Sequence, residues 1–126
     1  MAEPYILLVD DNPETLEFLT RALEVEGFKV RAVKSVFKAV ELLHDGSPLP
    51  ALIITDLLMP GTTGWDFMKH IRDDAALRSL PVIIVTGAEA GEGFALADAV
   101  IQKPLNMDTL VKAIRTLWPP PGTLPL

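Results

Sequence analysis

Residues 51–61 have the sequence Ala51-Leu52-Ile53-Ile54-Thr55-Asp56-Leu57-Leu58-Met59-Pro60-Gly61. The uninterrupted apolar run at its start predicts a strand buried on both faces, as in a parallel sheet covered by helices. Asp56 ends this run, and Pro60-Gly61 is a turn signal. A carboxylate at the carboxyl end of a central parallel strand lies where open α/β sheets bind their ligands. Asp56 is therefore a candidate site residue, although a carboxylate that only caps a turn would give the same pattern.

Apolar runs alternate with amphipathic segments along the rest of the chain. Four more strands are predicted, at residues 5–9, 28–33, 82–85 and 99–102. Five helices are predicted: at residues 13–26, from Ser35 to about 44, at 65–73 with Trp65, Met68 and Ile71 as its apolar face, a short one between Thr86 and Lys103, and one after Asn106. Lys29 and Arg31 interrupt the second strand, which favours a place nearer the sheet edge. The alternation predicts a doubly wound, three-layer α/β sandwich with a parallel sheet.

The composition restricts the class of protein. The 126 residues suffice for one domain, which we place at residues 1–118, followed by a proline-rich tail at 119–126. The chain has no cysteine and no apolar run of membrane-spanning length, so we expect a cytoplasmic protein without disulfides or a membrane partner. Its formal charge of −6 argues against nucleic-acid binding, which requires a basic face.

Polar residues follow directly on four of the predicted strands. They are Asp10-Asp11, Asp56, Thr86 and Lys103. Because the carboxyl ends of parallel strands meet at one edge of the sheet, we expect three carboxylates, one hydroxyl and one ammonium to gather there. Taken singly, the acidic pair has an alternative role as a helix-dipole partner, Thr86 as an ordinary strand end and Lys103 as a solvated lysine.

The combination of these groups favours phosphoryl transfer. Three neighbouring carboxylates repel one another, and a bound Mg²⁺ removes that repulsion. The cation and a lysine ammonium together neutralise an incoming phosphoryl group, and such transfer needs little beyond in-line positioning and charge stabilisation. A carboxylate can itself act as the nucleophile and form an acyl phosphate. Thr86 is then a hydroxyl donor to the transferred group.

The same residues carry a resemblance to a known family. The acidic pair Asp10-Asp11, the box at residues 56–61, Thr86-Gly87-Ala88 and Lys103-Pro104 resemble the receiver domain of two-component response regulators, over about residues 4–118. We expect the stand-alone, single-domain type. The resemblance implies a flavodoxin-like, five-stranded parallel sheet of order 2-1-3-4-5.

The resemblance also implies a phosphoacceptor and a metal site. Asp56 would accept a phosphoryl group from a histidine kinase or a histidine phosphotransfer protein. Asp11, Asp56 and the backbone carbonyl of Leu58 would ligate Mg²⁺, and Asp10 would act mainly through water. The chain would not be an enzyme in the usual sense, since it would catalyse only its own phosphorylation and slow dephosphorylation.

The remaining implied roles concern phosphate contacts and partners. Thr86 and Lys103 would contact the phosphoryl oxygens, and the Lys103-Pro104 peptide bond would be cis. The output would be the binding of an unidentified downstream protein or a relay of the phosphoryl group to another histidine. We expect a monomer or a weak homodimer.

The chain departs from the family pattern at three places. Val100 stands three positions before Lys103, where receivers often carry an aromatic residue that reports phosphorylation. The interval between Thr86 and Lys103 is short for a parallel crossover, and its glycines weaken helicity, so we expect a shortened or mobile fourth helix. Leu58 and Ala88 occupy positions that tune dephosphorylation in the family, and neither orients an attacking water, which predicts a long-lived phosphoryl state.

Three other functions compete with this one. An interaction module that keeps the acidic site but is not switched by phosphorylation is favoured by Val100 and by the short segment before Lys103. A metal-dependent phosphatase usually needs a second acid two residues after its nucleophile, and Leu58 stands there. Flavin binding is disfavoured because Asp10 and Asp11 would repel its phosphate.

Overall fold

Strands and helices alternate along the chain, as the sequence predicts. The structure, a computed structural model, describes residues 3–56, 64–87 and 96–118. Within these ranges the elements follow in the order β1 (Ile6–Val9), α1 (Pro13–Val25), β2 (Val30–Val33), α2 (Val36–His44), β3 (Leu52–Thr55), α3 (Gly64–Asp73), β4 (Val82–Thr86), β5 (Ala99–Gln102) and α4 (Met107–Leu117).

The five strands form one parallel sheet of order β2-β1-β3-β4-β5. In the β1–β3 pair, Ile6 lies opposite Leu52 and Val9 opposite Thr55, so the carboxyl ends of these central strands are level. β2 pairs with β1 and ends the sheet on that side. Both the sheet order implied by the resemblance and the edge position of β2 are confirmed.

The sheet separates two apolar cores, because successive side chains of a strand point to opposite faces. On one face, Leu7, Val9 and Ile53 pack with residues of α2 and α3. On the other face, Leu8 and Ile54 pack with residues of α1 and α4. The helices therefore cover both faces, which explains why the central strands are apolar without alternation.

Side-chain caps define where the helices begin. The Asn12 side chain accepts hydrogen bonds from the backbone N–H groups of Glu14 and Thr15, at 2.9 and 3.2 Å. Ser35 and Asn106 cap α2 and α4 in the same way. These three caps are the ones that the sequence predicts. Gly27 has a φ of 95°, a conformation that favours glycine, and it ends α1.

The structure corrects one detail of α3. The spacing of three predicts that Trp65 faces the core with Met68 and Ile71, whereas Trp65 is only half-buried and Phe67 is fully buried. The true inner face follows the i, i+1, i+4 positions 67, 68 and 71, which a pattern of threes misses.

Several predictions fall on parts of the chain outside the described residues. These are the shortened helix before β5, most of which would occupy residues 88–95, the positions Leu58 and Ala88, and the tail at 119–126. Among the described helices, none has the length and apolar character needed to cross a bilayer.

Candidate functional site

The predicted site residues lie at the carboxyl edge of the sheet. Asp10 follows β1, Asp56 follows β3, Thr86 ends β4 and Lys103 follows β5. Asp10, Asp56 and Thr86 are buried, whereas Asp11 and Lys103 are exposed. The strand register makes this edge level, since Val9 is paired with Thr55 and Thr86 with Gln102. Four separate segments therefore contribute to one site.

An ion pair joins two segments that are far apart in the sequence. The Nζ atom of Lys103 lies 3.0 Å from Oδ2 of Asp56 and donates a hydrogen bond to it. The Asp56 side chain is 8% exposed and that of Lys103 is 38% exposed. Charge-assisted hydrogen bonds of this kind are stronger than neutral ones. The ammonium group is thus placed beside the carboxylate that the sequence singles out.

A local turn fixes the carboxylate of Asp10. The backbone N–H of Asn12 donates a hydrogen bond to Oδ1 of Asp10 at 2.9 Å. Burial raises the pKa of Asp10 above its ordinary value, and the nearby charges of Asp56 and Asp11 raise it further. The Asn12 N–H and the Lys103 ammonium act in the opposite direction. The backbone bond from Asn12 is a contact that the sequence analysis missed, although an Asp two residues before an Asn at a helix start is typical of such turns.

Thr86 is held by the β4–β5 pairing. Its carbonyl oxygen accepts a hydrogen bond from the backbone N–H of Lys103 at 2.9 Å. The residue is fully buried at the end of β4. The Lys103-Pro104 peptide bond is cis, as the resemblance implies.

The donor set of this edge suits a hard cation. Asp10 and Asp56 offer buried carboxylate oxygens, and Asp11 is near enough for its charge to raise the pKa of Asp10. Mg²⁺ prefers oxygen ligands and keeps several waters, so a few carboxylates at an accessible edge satisfy it. Burial first, and the charges of Asp56 and Asp11 to a lesser degree, raise the pKa of Asp10 and so disfavour its ionised form, and a divalent cation would favour that form again. The Leu58 carbonyl lies outside the described residues.

Solved receiver structures share this architecture. The response regulator TrrA from Thermotoga maritima, in complex with Mg²⁺-BeF, matches with a TM-score of 0.82 and 26% identity, over 91% of this chain and 99% of that one. The receiver domain of a signal transduction histidine kinase from Syntrophus aciditrophicus matches with a TM-score of 0.81 and 30% identity, over 91% and 89% of the two chains.

Sequence relatives point to the same family. The response regulator Rre1 from Synechocystis sp. is 37% identical over 124 residues, which are 93% of this chain and 53% of that protein. The phosphate regulon transcriptional regulatory protein PhoB from Escherichia coli is 31% identical over 122 residues, 89% of this chain and 50% of that protein. The chain thus spans about half the length of these relatives. The family model of the response regulator receiver domain matches residues 6–115, and the chain belongs to that family.

Proposed function

We propose that this chain is a phosphoacceptor receiver of a two-component or phosphorelay system, with Asp56 as the phosphorylated residue. The contact between Asp56 Oδ2 and Lys103 Nζ at 3.0 Å carries the proposal. It places a buried carboxylate nucleophile beside a cation that can neutralise phosphoryl oxygens. Receiver domains are generally not enzymes in the usual sense, and this chain would turn over only its own acyl phosphate.

The reaction follows from the positions of these groups. A carboxylate oxygen of Asp56 attacks the phosphorus of a phosphohistidine, and the P–N bond breaks. The electron pair leaves with the imidazole nitrogen of the donor, which then takes up a proton. The Lys103 ammonium shifts from the free carboxylate to one oxygen of the transferred phosphoryl group. The Thr86 hydroxyl donates a hydrogen bond to another oxygen of that group. The products are an aspartyl phosphate and a neutral histidine on the donor.

Receiver domains bind Mg²⁺, and TrrA binds Mg²⁺-BeF. In this chain, Asp11, Asp56 and the Leu58 carbonyl would hold the ion, with Asp10 acting through water. When bound, the ion supplies positive charge that stabilises the charge developing on the phosphoryl oxygens. The chain's own contribution is to fix the carboxylates, and the Asn12 N–H does so for Asp10.

Receiver domains interact with histidine kinases or phosphotransfer proteins, and we propose such a protein as the phosphoryl donor. A groove beside Lys103 offers it a docking surface. The groove is lined by Glu14, Thr15, Phe18, Leu19, Val85, Lys103, Pro104 and Leu105. The Phe18 side chain stands on α1 with 59% of its surface exposed. A phosphohistidine side chain of a donor protein seated there would lie next to the ammonium of Lys103.

Intact mass spectrometry tests the phosphoacceptor. The wild type and Asp56→Asn are incubated with acetyl phosphate or phosphoramidate, with and without Mg²⁺. We expect one phosphoryl adduct on the wild type that requires Mg²⁺ and is removed by hydroxylamine, as an acyl phosphate should be, and no adduct on the variant. A conservative change of the same type at an exposed acid on α3, Asp66→Asn, is the control and should keep the adduct.

The opposite result has a definite meaning. If the folded, Mg²⁺-binding wild type forms no adduct with either donor or with any histidine kinase tried, the proposal is wrong, and the interaction module becomes the better function. An adduct that persists in Asp56→Asn would place the phosphoacceptor elsewhere.

The same assay measures the lifetime of the phosphoryl group. Because Leu58 and Ala88 lack polar atoms on their side chains, we propose slow hydrolysis after the donor is removed. Receivers with polar residues at both positions are the comparison. Equal or faster loss of the adduct from this chain would contradict the proposal.

A further inference from the structure

Both histidines of the chain meet at a place far from Asp56. His44 is the last residue of α2, and His70 lies in α3. Their Nε2 atoms are 2.9 Å apart, and their rings cross at 78° with centroids 5.1 Å apart. The carboxylate of Asp74, which follows α3, is the third member, with its Oδ2 3.8 Å from Nε2 of His44. Residues that are 26 positions apart thus converge on one point.

We propose that the side chains of His44, His70 and Asp74 form a binding site for a divalent metal ion, and that this ion is Zn²⁺. One nitrogen or oxygen atom from each of the three residues lies within 4.8 Å of the corresponding atoms of the others. Two imidazoles and one carboxylate are a typical zinc donor set that leaves a fourth position for water. Imidazole nitrogen also favours Zn²⁺ over the Mg²⁺ expected at the carboxylate edge.

The spacing needs only a small adjustment. Zinc–nitrogen bonds of about 2.05 Å at a tetrahedral angle place two ligand nitrogens roughly 3.3 Å apart. The two Nε2 atoms are at 2.9 Å, so the rings must separate by a few tenths of an ångström. The His44 side chain is 44% exposed and that of Asp74 is 28% exposed, which leaves both able to move and lets a metal enter. Both Nε2 atoms bind the metal without a proton, so the ring that donates the hydrogen bond moves its proton to Nδ1 through solvent when the metal binds.

A backbone hydrogen bond in the turn after α3 orients the carboxylate of Asp74. The backbone N–H of Ala76 donates to Oδ1 of Asp74 at 2.8 Å. This contact occupies one carboxylate oxygen and leaves Oδ2 as the atom nearer His44. Hydrogen bonds that fix the far side of a ligand are a regular feature of metal sites. His70 lies in the last turn of α3 and Asp74 is the first residue after the helix, and their spacing of four places the two side chains on the same side.

The site would join two helices at the edge of the sheet opposite Asp56. α2 and α3 lead into β3 and β4, so their last residues lie near the amino ends of the strands. A metal bound to His44 of α2 and to the other two residues at the end of α3 therefore links the two helices. Because the metal binds only the folded arrangement, it raises the stability of the fold.

Calorimetric titration of Zn²⁺ in the presence of excess Mg²⁺ tests the site, because Mg²⁺ occupies the carboxylate edge. We expect one Zn²⁺ per chain, with affinity falling about tenfold or more in His44→Gln, His70→Gln and Asp74→Asn, as for lost metal ligands or their supports. Asp73→Asn, a matched change at an exposed neighbour, should bind Zn²⁺ like the wild type. Far-ultraviolet circular dichroism of every variant establishes that it is folded.

Two further readouts distinguish the site from weak surface binding. Zn²⁺ should shift the ring resonances of both histidines in nuclear magnetic resonance spectra, and it should raise the melting temperature of the wild type but not of the His44→Gln/His70→Gln double variant. Zinc affinity in the folded double variant equal to that of the wild type would overturn the proposal. So would failure of the wild type to bind Zn²⁺.

Discussion

Tyr5 is the single tyrosine of the chain, so its ionisation can be followed directly. It is buried at the start of β1, and its hydroxyl donates a hydrogen bond to the carbonyl of Pro48 at 2.6 Å. Burial raises the pKa of Tyr5 above its ordinary value of 10.0, while Arg31 acts in the opposite direction. A raised pKa in the folded state means that Tyr5 stabilises the fold fully below the unfolded pKa, and that this contribution is lost as the pH rises through the folded pKa.

We therefore expect the tyrosinate absorbance of the folded protein to appear with a midpoint above pH 10.0. The melting temperature of the wild type should fall over the same pH range. Tyr5→Phe should lose about 1 kcal/mol at neutral pH, because the bond to Pro48 is absent, but should lack this alkaline fall. A midpoint at or below the ordinary value would show that Arg31 outweighs burial.

Asp10 provides a second prediction at the level of one residue. Because the pKa of Asp10 is raised, its ionised form is disfavoured in the folded protein, and stability is lost as the pH rises through that pKa. Asp10→Asn keeps an oxygen to accept the Asn12 N–H but removes the charge. At neutral pH without metal, we expect the variant to melt at a higher temperature than the wild type.

Magnesium should act against this difference in melting temperature. The wild type should gain more from Mg²⁺ than Asp10→Asn, because the ion is attracted by the carboxylate that the variant lacks. Asp45→Asn is the matched control: Asp45 is exposed, and its pKa is lowered by hydrogen bonds from Ser47, so its removal should not stabilise the protein. An equal Mg²⁺ response in the wild type and Asp10→Asn would contradict a role for Asp10 at the metal.

Single residues also show what a sequence can and cannot reveal about a site. Asp56 and Lys103 could be placed together because each directly follows a predicted strand, and parallel topology determines which edge of the sheet they share. The meeting of His44 with His70 could not be predicted, since it depends on how far α2 and α3 extend and how they pack. His70 and Asp74, four residues apart, were the one local signal.

At the scale of elements, Arg72 joins α3 to the segment that leads into β4 and to the segment that leads into β5. Its guanidinium donates hydrogen bonds to the carbonyl oxygens of Leu96, Arg78 and Leu80 at 2.8 to 2.9 Å. It also pairs with Asp98 at 3.0 Å, and Asp98 in turn accepts from the backbone N–H of Val82 at the start of β4. One side chain thus satisfies several carbonyl groups in segments that have no regular structure.

Replacing Arg72 should therefore destabilise the fold. We expect Arg72→Ala to lower the free energy of unfolding by about 2–3 kcal/mol, because several acceptors lose a charged donor at once. Urea unfolding measures this, and Lys69→Ala, at an exposed position of the same helix, should change stability by less than about 0.5 kcal/mol. A similar small change in both variants would mean that solvent replaces Arg72 at no cost.

The bounds of most elements were predictable because local signals agree with the fold. Asn12 with Pro13, and Ser35, mark helix starts that the structure confirms within a residue. Phe67 was missed because three apolar residues spaced by three, beginning at Trp65, give an equally regular pattern. Only packing against the sheet decides between the two faces.

At the scale of the whole molecule, the carboxylate edge and the proposed docking groove share Lys103. Phe18→Ala should slow phosphoryl transfer from a phosphohistidine protein by about tenfold, because an exposed aromatic anchor is lost, while the rate with acetyl phosphate is unchanged. Phe37→Ala is the matched control, since Phe37 is 69% exposed on α2, outside the groove. Equal rates for all three proteins with the phosphohistidine donor would exclude the groove as the docking surface.

The order of the strands came from the resemblance and not from hydrophobic patterns, which cannot tell which parallel strands are neighbours. The patterns did predict the layers, because strands without alternation must be covered on both faces. The structure has one apolar core on each face of the sheet, in agreement with that prediction.

The edge position of β2 affects how readily the protein aggregates at high protein concentration. A strand that ends a sheet offers backbone groups to which a strand of another molecule can add, the first step of many aggregates. Lys29, Arg31 and Lys34 are exposed along this margin, although the chain as a whole carries a formal charge of −6. Two copies approaching by these margins bring like charges together. The repulsion between these basic side chains is therefore expected to disfavour pairing of two copies through the β2 edge.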